Sequence, residues 1–104
     1  MIKYIKRRKF PLPSPVNLKM TIEHKLIKIT WDKIIDDDLV GYYVVRNRWH
    51  EPKNPFDGVK LYAGADNHTF DNFGATNLGK YFAVFSYDNV PNFSQASIVQ
   101  YEPK

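Results

Sequence analysis

The chain has 104 residues, 43% hydrophobic and 25% charged. That is one domain's length, and the balance excludes disordered, collagen-like and coiled-coil chains. It contains no cysteine and carries a formal charge of +4, which removes disulfides, thiolate nucleophiles and sulfur-bound zinc and raises the question of an anionic partner.

The basic excess sits at the start. Lys3, Lys6, Arg7, Arg8 and Lys9 stand together with no acid among them, and the rest of the chain has ten basic against eleven acidic residues. A nucleic-acid or anionic-surface contact is therefore confined to this arm, with no basic face behind it to continue a track. Pro11, Pro13 and Pro15 follow where a secretory signal would need about 7–15 apolar residues, and no run reaches the roughly 18 apolar residues of a membrane span. Residues 1–14 are expected to form a basic, proline-rich arm or linker, and residues 15–104 a domain.

From Val16 onward the hydrophobic period is two. Asn17 to Ile22 alternates, and so does Lys25 to Trp31, which puts Ile27, Ile29 and Trp31 on one face. Gly41 to Arg46 is rich in aromatic and β-branched residues. Strands over Val59–Tyr62, His68–Phe70, Tyr81–Tyr87 and Ser97–Tyr101 complete a set of about seven. Turn residues separate them: Asp36-Asp37-Asp38, Pro52 to Gly58, Ala63 to Asn67, Gly74, Gly79 and Asp88 to Asn92. No stretch of ten residues carries a helical stripe. The expected fold is all-β, a seven-stranded antiparallel immunoglobulin-like β-sandwich.

From Pro15 to about Tyr101 the chain resembles a fibronectin type III domain, in the variant common in bacterial extracellular proteins. The marks are Pro15-Val16-Asn17-Leu18, Ile27-Lys28-Ile29-Thr30-Trp31, Asp38-Leu39-Val40-Gly41-Tyr42-Tyr43-Val44-Val45-Arg46, and Tyr81 to Asp88 with Asn92-Phe93-Ser94. Trp31 suits the large ring between the sheets, Gly41 a tight bend, and Asp88 with Asn92 a side-chain-bonded loop. The resemblance also implies a tyrosine four residues before the inward Val84. That place holds Lys80, and Tyr81 lies one residue later, so either a bulge moves Tyr81 into the role or this tyrosine corner is absent. An extracellular or cell-surface setting is a further implication of the resemblance, without a signal peptide in this chain to support it.

No constellation for chemistry emerges. His50-Glu51 lacks a second histidine at the spacing of a zinc-protease helix, and Pro52 opposes such a helix. Asp36-Asp37-Asp38 lacks the alternating ligand spacing of a calcium loop. Ser14, Ser86, Ser94 and Ser97 have no glycine-elbow context, and there is no glycine-rich phosphate loop. Asn67-His68-Thr69 and Asn92-Phe93-Ser94 match the glycosylation pattern and are read as coincidental. The expectation is a non-enzyme with no cofactor and no metal.

The surplus is aromatic, 15% of the chain. If Tyr42, Val44, Phe82 and Val84 face inward, Tyr43, Val45, Tyr81, Ala83, Phe85 and Tyr87 face outward on the same sheet. That face is richer in rings than a solvated one. Either the segment Trp49 to Gly58 folds over it, or a partner does. The candidate binding residues are Tyr43, Val45, Trp49, Tyr81, Phe85 and Tyr87. The expected role is a spacer or protein-contact module, self-association included, acting through this face or an edge strand. The alternative is a carbohydrate-binding accessory module of a glycan-active or cell-surface protein, with Tyr43, Tyr87 or Trp49 stacking on sugar rings.

Overall fold

The computed structural model describes residues 11–71 and 78–103, so the basic arm and the turn at Gly74 lie outside the described residues. Seven strands follow in chain order: β1 (Lys19–Glu23), β2 (Leu26–Thr30), β3 (Gly41–Asn47), β4 (Val59–Gly64), β5 (His68–Asp71), β6 (Lys80–Tyr87) and β7 (Ser97–Tyr101). They form two sheets, ordered β1-β2-β5 and β4-β3-β6-β7. Every pairing is antiparallel, and no helix occurs among the described residues. This is the sandwich that the period-two pattern predicts.

The core follows from that alternation. Ile27, Ile29 and Trp31 project from β2 and its end, and meet Tyr42 and Val44 of β3 with Phe82 and Val84 of β6. Burying each such side chain contributes roughly 1.5–3 kcal/mol. The rings of Trp31 and Tyr42 meet edge-on at 5.4 Å, and the buried Tyr42 hydroxyl accepts a hydrogen bond from the Ile34 amide, so its polar tip costs little to enclose. Gly41 has a reason other than the tight bend expected of it. A Cβ there would lie 2.6 Å from the carbonyl oxygen of Gly64, closer than packed atoms approach, so the pairing of β3 with β4 needs the bare backbone.

The described part of the proline-rich segment is docked on the sandwich. Leu12 is buried, Ser86 Oγ donates to the carbonyl of Pro13, Ser14 Oγ donates to that of Gln95, and Ser97 Oγ donates to that of Pro15. Prolines keep this stretch extended with their carbonyls available, and serines near the end of β6 and the start of β7 use them. Among the described residues, contact with the sandwich thus includes Leu12, three residues before Pro15.

Lys80, not Tyr81, occupies the inward position at the start of β6. The β3–β6 register runs without a shift from Gly41↔Tyr87 to Asn47↔Tyr81, so no bulge moves Tyr81 into the corner. Period two places Lys80 on the face of Phe82 and Val84, and Arg46 on the face of Tyr42 and Val44. Both reach across to Asp71 at the end of β5: Arg46 Nη1 is 2.7 Å from Asp71 Oδ1, and Lys80 Nζ is 3.1 Å from Asp71 Oδ2. Asp71 is fully buried. A charge so enclosed is tolerated only with close, hydrogen-bonded partners, and here those partners join the two sheets where the tyrosine was expected.

The loop between β6 and β7 matches its expected chemistry. Asp88 Oδ1 accepts from the amides of Val90 and Asn92, and Asp88 Oδ2 accepts from Asn92 Nδ2. Asn67 Nδ2 likewise donates to the Trp31 carbonyl. Both asparagines of the glycosylation-like triplets therefore have structural hydrogen bonds.

Candidate interaction surface

The outer face of β3 and β6 carries the residues that the alternation assigns to it, but it is not open. Val45 and Phe85 are 0% and 2% exposed, which corrects their place on an exposed partner face. The cause is the segment from Arg48 to Gly58, which turns back over the sheet. Its Pro52 and Pro55 are buried, and its Phe56 meets Tyr43 edge-on at 6.0 Å. Phe93, from beyond β6, packs against Tyr43, Phe56 and Tyr87 at 5.8, 5.8 and 6.0 Å. Lys60 Nζ sits over the Tyr43 ring at 5.5 Å. Tyr43, Tyr81 and Tyr87 are left half-buried.

Gly58 makes the return possible. Its φ is +141°, a conformation reserved for glycine. A Cβ there would collide with the Arg46 carbonyl oxygen and come within 2.9 Å of Val45 Cγ1.

Asn47 organises the front of the same loop. Its Oδ1 accepts from the amides of Trp49 and His50 at 2.8 and 3.1 Å, and its Nδ2 donates to the Asp57 carbonyl at 3.1 Å. Asp57 closes the loop from the other side, with Oδ2 2.9 Å from His50 Nε2 and accepting the Lys53 amide at 2.9 Å. These contacts, the Lys53 amide first and His50 second, hold the Asp57 carboxyl below its ordinary range. Trp49 is consequently presented on a fixed turn and not on a loose one. It is 78% exposed, with the Arg48 guanidinium 4.7 Å from the centre of its ring, a cation–π contact.

Beside Trp49 lies a cleft of about 460 Å³, lined by Arg46, Asn47, Arg48, Trp49, Gly58, Val59, Leu78 and Lys80. Its walls combine apolar surface from Trp49, Val59 and Leu78 with three cations, two of which share Asp71. Among the six candidate residues, then, the structure puts Trp49 at this cleft, gathers Tyr43 and Tyr87 into the covered ring cluster, and buries Val45 and Phe85. Tyr81 lies opposite Asn47, on the face away from the core. The cleft residues were missed in the sequence because only their register marks them: Arg46 and Lys80 are charges in the inward phase of otherwise apolar strands. Among the described residues, no three His, Asp or Glu side chains are grouped as a metal would need.

No protein-family profile matches the chain, and no curated protein matches it. Solved structures do. The spore cortex lytic enzyme SleM of Clostridium perfringens superposes with a TM-score of 0.70 at 17% identity, over 88% of this chain and 28% of that one. The chicken CNTN1 FN1–FN3 domains give 0.72 at 12% identity, over 90% of this chain and 33% of theirs. A Fn3-like protein from Clostridium thermocellum gives 0.60 at 17% identity, over 86% of this chain and 92% of its own. The chain spans about a third or less of the first two proteins. Its fold is fibronectin type III-like.

Proposed function

We propose that the chain acts as a non-catalytic contact module, residues 15–104 forming the fibronectin type III-like unit, and that it binds a protein partner through the pole carrying Trp49. The observation behind this reading is an exposed tryptophan held on a hydrogen-bonded turn beside a cleft. Rigid aromatic anchors of this kind contribute disproportionately to protein contacts, because little conformational freedom is lost when they are buried. The similarity to the CNTN1 FN1–FN3 domains supports a modular role, and the resemblance of the sequence marks supports an extracellular or cell-surface setting. No helix among the described residues is long and apolar enough to cross a membrane.

A carbohydrate reading is the alternative, and the same residue favours it. Tyr43 and Tyr87 are engaged by Phe56 and Phe93, which leaves Trp49 as the ring for a sugar to stack on. SleM, a spore cortex lytic enzyme, contains a similar sandwich within its longer chain. Affinity capture separates the two. Immobilised protein should retain a protein partner from an extract of the source organism, and Trp49→Ala should weaken that retention about tenfold or more, the range of an interface hot spot. Retention on polysaccharide alone supports the sugar reading, and retention of neither contradicts both.

A further inference from the structure

The sandwich leaves β1 as an open edge. Its sheet is ordered β1-β2-β5, so among the described residues β1 is paired on one side only, and four of its five side chains are exposed. Glu23 and Leu26 flank the two-residue turn, and in such a turn the flanking residues exchange hydrogen bonds. The alternation then gives Thr21 and Lys19 the same inward bonding, and turns the N–H and C=O groups of Met20 and Ile22 to the free edge. The side chains of Met20 and Ile22 lie opposite Ile29 and Ile27, which are fully buried, yet Ile22 is 51% exposed. An apolar side chain in the core phase, beside unused backbone groups, is suited to cover by one more strand.

We propose that this strand is β1 of a second copy, paired antiparallel about a two-fold axis at Thr21, so that two three-stranded sheets become one. The residue order of β1, Lys-Met-Thr-Ile-Glu, is complementary to its own reverse. Lys19 faces Glu23 of the second copy at both ends, Met20 faces Ile22 and covers it, and Thr21 faces Thr21. Opposite charges directly across a strand pair stabilise it and like charges oppose it, which selects this register. A shift of two residues, the smallest that keeps the same faces together, sets Lys19 against Lys25 in one direction. In the other direction it sets Glu23 against Asn17 and leaves Lys19 without a carboxylate. Glu23 already lies 3.5 Å from Lys28 of its own copy, and the two oxygens of a carboxylate can serve both cations. Asn17 before β1 and His24 and Lys25 after it have positive φ, which confines the pairing to these five residues. Because each copy uses the same edge, the contact is isologous and closes as a dimer. It goes beyond the contact proposed for Trp49 and uses none of the residues there.

The chain has no cysteine, so a single introduced thiol reports the register. Thr21 falls at a non-hydrogen-bonded pair, where facing Cα atoms lie about 4.5 Å apart, within the roughly 4.4–6.8 Å of a disulfide. Under mild oxidation Thr21→Cys should form a linked dimer about tenfold faster than Ile22→Cys, which faces Met20 and not its own image. Charge exchange gives a second readout. In sedimentation at about 1 mM protein, suited to a weak contact, wild type should exceed monomer mass, whereas Lys19→Glu and Glu23→Lys should each stay monomeric. An equal mixture of the two variants should dimerise, because every position 19 then faces the opposite charge at position 23. The substituted side chains are exposed, and circular dichroism checks that each variant folds. Trp49→Ala should dimerise as wild type does. A monomeric wild type, linkage at position 22 as fast as at position 21, a mixture that stays monomeric, or loss of the dimer in Trp49→Ala overturns the proposal. Trp49-dependent capture of another protein is read separately, so failure of the β1 contact leaves that reading standing.

Discussion

Asp71 ties the two sheets together through a buried charge. It is enclosed between Arg46 and Lys80, and Asp71→Asn would leave two cations in a site built for a neutralising charge. The expected cost is about 3–5 kcal/mol, measured by urea denaturation. Replacing the three together, Arg46→Met, Asp71→Leu and Lys80→Met, should cost less than the single change, because no uncompensated charge remains. A triple variant weaker than Asp71→Asn would contradict this account of the cluster. Asp57 gives a pH prediction of definite sign. Its carboxyl is held below the ordinary 3.8 by the Lys53 amide and His50, so the ordered loop is favoured above that pH and loses this support as pH falls through the lowered native value. Amide signals of Trp49, His50 and Lys53 should be unchanged at about pH 5 and shift in stronger acid, whereas Asp57→Asn should show the altered signals at pH 5 with no later step. Neither role was visible in the sequence. Asp57 sits in a turn-rich stretch that any solvated loop would resemble, and Asp71 ends a short strand with nothing nearby in sequence to signal two cations from other strands.

At the scale of elements the strands themselves were legible, because alternation is a local property. Trp31, Tyr42, Val44, Phe82 and Val84 all face inward where period two puts them. The cover over β3 and β6 was less so. Trp49 to Gly58 offered cover as one of two outcomes, and the choice depends on a non-local contact between Phe56, Phe93 and Tyr43. Gly58→Ala tests the cover. The added Cβ would strike the Arg46 carbonyl at a φ of +141°, and the expected loss is roughly 1–3 kcal/mol with increased dye binding at the uncovered face. The β1–β2 hairpin makes the opposite prediction. Its two turn residues, His24 and Lys25, both have positive φ, 51° and 66°, and Glu23 pairs with Leu26 around them, which is the turn that Asn-Gly favours. His24→Asn with Lys25→Gly should stabilise the protein by about 1 kcal/mol and raise Tm by roughly 4–8 °C. No gain in calorimetry would mean that the turn is not strained.

The whole molecule has a direction. Its aspartate-rich loop and the start of β1 lie at one end, its Trp49 cleft and the end of β7 at the other. Composition pointed to the tyrosines as the contact surface, yet five of the six residues expected there are buried or half-buried. What remains open is the tryptophan that one hydrogen-bonded turn holds outward. The most direct test replaces Trp49 with a photo-cross-linking phenylalanine derivative, and places the same group at the exposed Ile35 between β2 and β3 as a control. Irradiation should join position 49 to a protein, and position 35 to none or far less. Cross-links from position 35 but not from position 49, or from position 49 to glycan alone, would contradict a protein contact at this pole.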